Sequence, residues 1–205
     1  MPKRAGYHHG DLKAALVESA LALIAERGVA ALSVAEVARR TEVSGGAPYR
    51  HFPSRQALLI AAATEAARNL TRRFQAACPY SGLPGSDPVA DLAGAAAVYA
   101  LFTAEHGAGF DLIFAAELRG RGDEDLMDAG RAVMEPPLRA ALSVAGGDAR
   151  AALQLIDRAF AAAHGYATLW RSGLYTDREA SVQDVAVEAA AVARTLAEAR
   201  RHDRP

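Results

Sequence analysis

The chain has 205 residues, 51% hydrophobic and 23% charged, with a net charge of −1; that is enough for a packed core and excludes a disordered chain or a general polyanion binder. Cys78 is the only cysteine, which excludes an internal disulfide and any CxxC metal or redox pair. The start is polar and basic, unlike a signal peptide, and no apolar run reaches the roughly 18 residues of a membrane span, so a cytoplasmic location without membrane contact is expected.

Strand-like alternation and hairpin dipeptides are missing, while helical spacing recurs throughout. Leu12, Leu16, Ala20, Leu23 and Ile24 form the apolar stripe of a first helix, closed by Gly28. Ser33 and Glu36 have the spacing of a capping box, predicting a second helix with Val37 and Ala38 turned inward. It stops between Arg40 and Glu42. A third short helix carries Tyr49 and Phe52 and is broken by Pro53-Ser54. If Ser44 capped it, Pro48 would fall at the fourth helical position and lose the first intrahelical bond, which puts the start nearer Ala47. Ser54 caps a fourth helix through Leu58, Ala62, Glu65 and Leu70. Residues 78–88 read as a loop. Further helices are predicted over 89–106, 110–118, 123–144, 148–172 and 177–201, with Pro136-Pro137 kinking or splitting the third of these.

A short helix, a tight turn and a second short helix, braced by a longer first helix, is the helix-turn-helix plan, whose second helix enters a major groove about 12 Å wide. Residues 1–55 hold eight basic and five acidic side chains, out of totals of 23 and 24. A basic head therefore precedes an acidic body, as expected when one end meets phosphate. Ser33, Tyr49, His51 and Arg55 are donors suited to phosphates, and Arg50 is suited to a bidentate contact with guanine. Phe52 reads as core. His8-His9 has no third ligand nearby to make a metal site.

Residues 7–59 resemble the DNA-binding domain of the TetR (tetracycline repressor) family. The resemblance is carried by Gly28, the Ser33–Val37–Ala38 helix, Val43-Ser44, the Tyr49-Arg50-His51-Phe52 string, and Arg55 followed by Leu58. It implies phosphate contacts at Ser33, Tyr49, His51 and Arg55 and base contacts near Gly45, Gly46 and Ala47, with Ser44 beside them at the DNA. Gly45 and Gly46 have no side chain and Ala47 offers a methyl, so specificity rests more on Arg50, on the Lys3-Arg4 arm and on DNA shape.

An all-α fold is expected: a three-helix DNA-binding domain over 1–58 and a helical ligand-binding and dimerisation domain over 59–205. Val182, Val185, Ala189, Val192 and Leu196 make one stripe near the end. The preceding helix carries two, Leu153-Ile156-Phe160-Ala163-Ala167-Trp170 and Leu155-Ala159-Ala162-Tyr166-Leu169. A helix apolar on two faces is buried on both; the alternatives are a monomer core and a four-helix dimer interface, which the resemblance favours. Ala159, Tyr166, Val185, Ala189, Val192 and Leu196 are the candidate partner-facing residues.

Tyr99, Phe102, Phe110, Phe114, Met134, Phe160, His164 and Trp170 are candidates to line an apolar ligand cavity, with His164 as its polar contact. Asp123-Glu124-Asp125 with Asp128 reads as a helix start favoured by the macrodipole, not as a Mg²⁺ site. No phosphate loop, nucleophile elbow or HExxH is present, and neither enzyme activity nor a cofactor is expected. The expected function is a ligand-responsive repressor that binds palindromic operator DNA as a homodimer and is released by a small, largely apolar, neutral or mildly cationic effector. The alternative is a TetR-like architectural or division-linked DNA-binding protein without an inducer.

Overall fold

The computed structural model describes residues 9–78, 85–107, 112 and 123–202. Among the described residues, seven α-helices with both ends defined and short 3-10 turns make up the regular structure, with no strand. The arm residues Lys3 and Arg4 lie outside the described residues, as do Phe110 and Phe114 and all of the predicted 110–118 helix except Leu112.

Helix α1, His9–Arg27, buries Leu16, Ala20, Leu23 and Ile24 along its predicted stripe. Gly28 follows with φ 79°, a region side chains avoid, and its N–H donates to the Ile24 carbonyl at 2.8 Å. After a 3-10 turn, Val29–Ala31, comes α2, Val34–Arg40. The predicted capping box does not form: Ser33 is the N-cap, but its side chain caps nothing, and Glu36 turns to Arg39 and Arg40. Charge-assisted bonds are roughly twice as strong as neutral ones, so arginines three and four residues on outcompete a backbone N–H.

Helix α2 ends in a Schellman pattern. The N–H of Glu42 donates to the Arg39 carbonyl at 3.3 Å and that of Val43 to the Ala38 carbonyl at 3.1 Å, with Glu42 itself at φ 55°. The expected third helix is shorter than predicted. Residues 44–47 form a turn, closed by the Ala47 N–H on the Ser44 carbonyl at 2.9 Å, and Pro48–Arg50 is a single 3-10 turn. Pro48 sits at its first position, where no intrahelical donor is needed.

Helix α3, Arg55–Ala77, starts on Ser54, whose hydroxyl accepts from the Ala57 N–H at 3.1 Å. It serves two cores. Leu58, Leu59, Ala62 and Ala63 pack with Leu16, Leu23, Val37 and Phe52 in the head. Ala66, Ala67, Leu70 and Phe74 pack in the body with Tyr99 and Val133. The expected division after residue 58 thus falls inside one helix.

The body holds α4, Pro88–His106; α5, Glu124–Ala145; α6, Ala149–Arg171; and α7, Val182–His202. Asp87, Asp123 and Asp148 cap the first three through their side chains. Pro136 and Pro137 do not split α5: both are buried, and the flanking Val133, Ala140 and Ala141 hold the two halves in one helix. Helix α7 begins later than predicted, at Val182, because Thr176–Arg178 is a separate 3-10 turn. Leu112 is fully buried in the head core. Burying a leucine stabilises by about 1.5–3 kcal/mol, against about 0–1 kcal/mol for an exposed ion pair, so this contact ties body to head through apolar packing.

Candidate nucleic-acid interface

The turn and 3-10 segment over residues 44–52 hang from α2 and are anchored by Pro48 and Phe52, both buried. Ser44, Gly45, Gly46, Tyr49 and Arg50 are exposed, while Ala47 and His51 are half-buried. Nothing inside the chain requires glycine at positions 45 and 46. Neither has a positive φ, and a Cβ built on either would meet no atom within 4 Å. Their effect is outward: the tip of the turn presents backbone alone, flanked by a phenol and a guanidinium, to whatever surface it meets.

Among the described residues of the head, Arg39, Arg40 and Arg55 spend their charge internally. Arg39 grips Glu36 with Nη2 at 2.7 Å and Nε at 2.9 Å, and Arg40 grips Glu26 with Nη2 at 2.6 Å and Nη1 at 2.9 Å. Arg40 Nε also reaches Glu36 at 3.4 Å, and Arg27 lies 3.9 Å from the same carboxylate. The hydrogen bond from Arg39 lowers the Glu36 carboxyl to about 2, against opposing desolvation. Arg55, expected at a phosphate, donates from Nε to the Leu32 carbonyl at 2.9 Å and from Nη2 to the Val29 carbonyl at 2.7 Å. Arg50 makes no ion pair among the described residues, so it is the reading turn's available cation.

In the body, a cavity of about 200 Å³ lies between α3, α4, α5 and α6. Tyr99, Met134 and Phe160 line it as expected from sequence, together with Leu70, Phe74 and Asp157. Phe160 stacks on Phe74 at 5.9 Å between centroids and meets Tyr99 at 4.4 Å. His164 stands behind the phenol, its Nδ1 3.5 Å from the Tyr99 hydroxyl. Phe102 and Trp170 are placed elsewhere. Phe102 lies under the Arg73 guanidinium and stacks on His106, and the Trp170 indole donates to the Ala180 carbonyl at 2.8 Å. Leu70 and Phe74 continue the four-residue spacing of Leu58, Ala62 and Ala66, a signal that could have found them; Asp157 had none.

The candidate dimer residues divide. Ala159, Val185 and Ala189 are covered by their own chain, packed with α4, and offer no surface to a second copy. Tyr166, Val192 and Leu196 are half-buried. Leu153, Leu169 and Val187 are the exposed large apolar residues of α6 and α7.

Comparisons with known proteins agree with this geometry. The family model for bacterial regulatory proteins of the tetR family matches residues 16–62. A solved protein of unknown function from Rhodococcus sp. RHA1 is 30% identical and covers 96% of this chain and 98% of its own, with a TM-score of 0.74. The HTH-type transcriptional repressor Rv3405c of Mycobacterium tuberculosis is 35% identical over 69 residues, 34% of this chain and 37% of that protein. The chain thus matches little more than a third of the length of its curated relatives. A TetR variant from Acinetobacter baumannii, solved in complex with minocycline, shares the fold at 18% identity and a TM-score of 0.58, over 98% of this chain and 99% of that one.

Proposed function

The chain belongs to the tetR family of bacterial regulatory proteins, and we propose that it is a ligand-responsive transcriptional repressor that binds palindromic operator DNA as a homodimer. The observation that carries this reading is the Gly45-Gly46 tip, side-chain-free without internal need and bordered by exposed Tyr49 and Arg50. Close backbone approach at the tip lets Arg50 reach a guanine edge, with Tyr49, His51, Ser33 and Ser44 as neutral phosphate donors.

A palindrome needs two heads, roughly 34–36 Å apart. The outward faces of α6 and α7 are the surface best suited to a second copy. Besides Leu153, Leu169 and Val187, they carry Gly165, where a Cβ would meet nothing within 4 Å. Glycine inside a helix costs roughly 0.5–1 kcal/mol relative to alanine, a loss that close approach of a partner helix offsets.

The aromatic cavity is the effector site in this reading. It is smaller than the roughly 300–1,000 Å³ of ordinary ligand pockets, and Asp157 is the charged residue lining it, which favours a small, neutral or cationic effector. Helix α3, shared by both cores, and Leu112, seated in the head, would carry a change of body shape to the reading turns. The effector acts only through its differential affinity for the two shapes, and operator DNA weakens its binding by the same factor.

The test is anisotropy titration of operator variants selected from random duplexes, followed by thermal-shift screening for cavity ligands. Arg50→Ala should reduce discrimination at one base pair by about 1–3 kcal/mol, and cavity ligands should release the operator. Equal affinity for every duplex would refute the helix-turn-helix assignment. Cavity ligands that leave operator affinity unchanged would refute the effector role and favour the architectural alternative.

A further inference from the structure

A second cavity, of about 330 Å³, opens between the start of α6 and the end of α7, beside the distal core of Val89, Leu92, Val144 and Leu155. Its walls carry Arg150, Arg158 and Arg200 with a single carboxylate, Asp148, and its floor includes Leu155 and Leu196. Asp148 is already engaged. Its Oδ1 accepts from the Ala151 N–H at 3.0 Å as the cap of α6, and its Oδ2 stands 3.5 Å from Arg200 Nη2. Arg150 and Arg158 make no ion pair among the described residues, and Arg200 Nε is buried with no hydrogen-bond partner among them.

Three guanidiniums around one carboxylate leave the groove with an excess of two positive charges, in a body that is acidic as a whole. Like charges gathered in a concave site repel one another, and a buried donor without an acceptor costs free energy. One occupant relieves both: an anion whose oxygens accept from the guanidinium forks. The leucine floor asks for an apolar body on that anion. We propose that this groove is a binding site for a small organic carboxylate, separate from the aromatic cavity and opposite to it in charge preference. The site does not depend on the assignment of the effector cavity; it shares the α6–α7 face with the proposed dimer surface, Leu196 in its floor being also a candidate partner-facing residue, so the oligomeric state is read beside binding.

Calorimetry on the full chain tests it with three probes: benzoate, inorganic phosphate and benzyl alcohol. Benzoate should bind once per chain, phosphate at least about tenfold more weakly, and benzyl alcohol not measurably. Replacing both exposed arginines, Arg150→Gln with Arg158→Gln, should weaken benzoate at least about tenfold without changing the oligomeric state in sedimentation. Arg131→Gln, in an exposed pair with Asp128 on α5, should change nothing and controls for general surface charge. The proposal is overturned by no benzoate binding at millimolar concentration, by phosphate binding as well as benzoate, or by undiminished binding in the double variant. Loss of the oligomer in that variant would also overturn it, assigning the arginines to carboxylates of a second copy.

Discussion

The α2 region of the head and the distal groove of the body use arginine in opposite ways. In the head, Arg39 and Arg40 hold Glu36 and Glu26, and Arg55 holds two backbone carbonyls of the turn before α2. In the body, Arg150 and Arg158 line a groove without ion pairs of their own among the described residues. The lesson is that net charge does not measure a reading surface. Beside the apolar anchors Val34, Val37, Pro48 and Phe52, the head spends Arg39, Arg40 and Arg55 on its own shape. The sharpest way to break this comparison is Arg55→Ala. Loss of two charge-assisted bonds to carbonyls should destabilise the head by about 1.5–3 kcal/mol, measured by denaturant unfolding or by hydrogen exchange in α1 and α2. If Arg55 served phosphate alone, stability would stand, and only the salt dependence of DNA binding would flatten by about one unit.

The same contrast governs what could be read from sequence. The apolar stripe of α1, Gly28, Ser54 and Phe52 were legible because each depends on neighbours within a turn or two. Ser33/Glu36 and Ser181/Asp184 offer the same three-residue spacing, yet only the second closes as a capping box. The Ser181 N–H donates to Asp184 Oδ2 at 2.7 Å, and the Asp184 N–H donates to Ser181 Oγ at 3.2 Å. Glu36 has arginines three and four residues on; Asp184 is followed there by Val187 and Glu188. The two stripes of α6 suggested two buried faces, but Leu153 in the first and Leu169 in the second are exposed; periodicity names a face and not its neighbour, and α4 of the same chain took Ala159. Asp157 and the distal arginines emerged only once α6 had been set between two cavities.

Two Schellman ends, one in the head and one in the body, sharpen the comparison further. Helix α5 closes on Gly146 at φ 69°, with the Gly147 N–H on the Leu142 carbonyl at 2.9 Å. Helix α2 closes in the same pattern on Glu42 at φ 55°. A left-handed non-glycine residue is strained by roughly 1–2 kcal/mol, and Glu42 is exposed with no ion pair among the described residues. Glu42→Gly should therefore stabilise the head by about 0.5–1 kcal/mol after the greater freedom of glycine in the unfolded chain is allowed for. Gly146→Ala should destabilise the body by a similar amount. Equal and opposite shifts in thermal unfolding would support strain held beside the reading turn; destabilisation by both would mean that Glu42 makes a contact that outweighs its backbone conformation.

The smallest expected effect comes from the ionic cluster itself. Glu36 sits at about 2 in the folded head, held down first by the hydrogen bond from Arg39, against an ordinary value of 4.5. Glu26 is lowered in the same direction, first by its hydrogen bond with Arg40. A carboxyl lowered by folding stabilises while it is charged in both states. Its contribution is complete above about pH 4.5 and fades as pH falls toward 2. Arg39 and Glu26 are open to solvent while Glu36 and Arg40 are half-buried, so the effect is modest and weakens with salt. Unfolding of the wild type and of Glu36→Gln, followed across that acid range at low and high salt, isolates it. The stability difference between the two proteins should shrink as pH falls, and should be smaller throughout at high salt. A difference that stays constant through the acid range would mean that Glu36 supports α2 through packing and neutral hydrogen bonds, and that the ionic cluster does not hold the head.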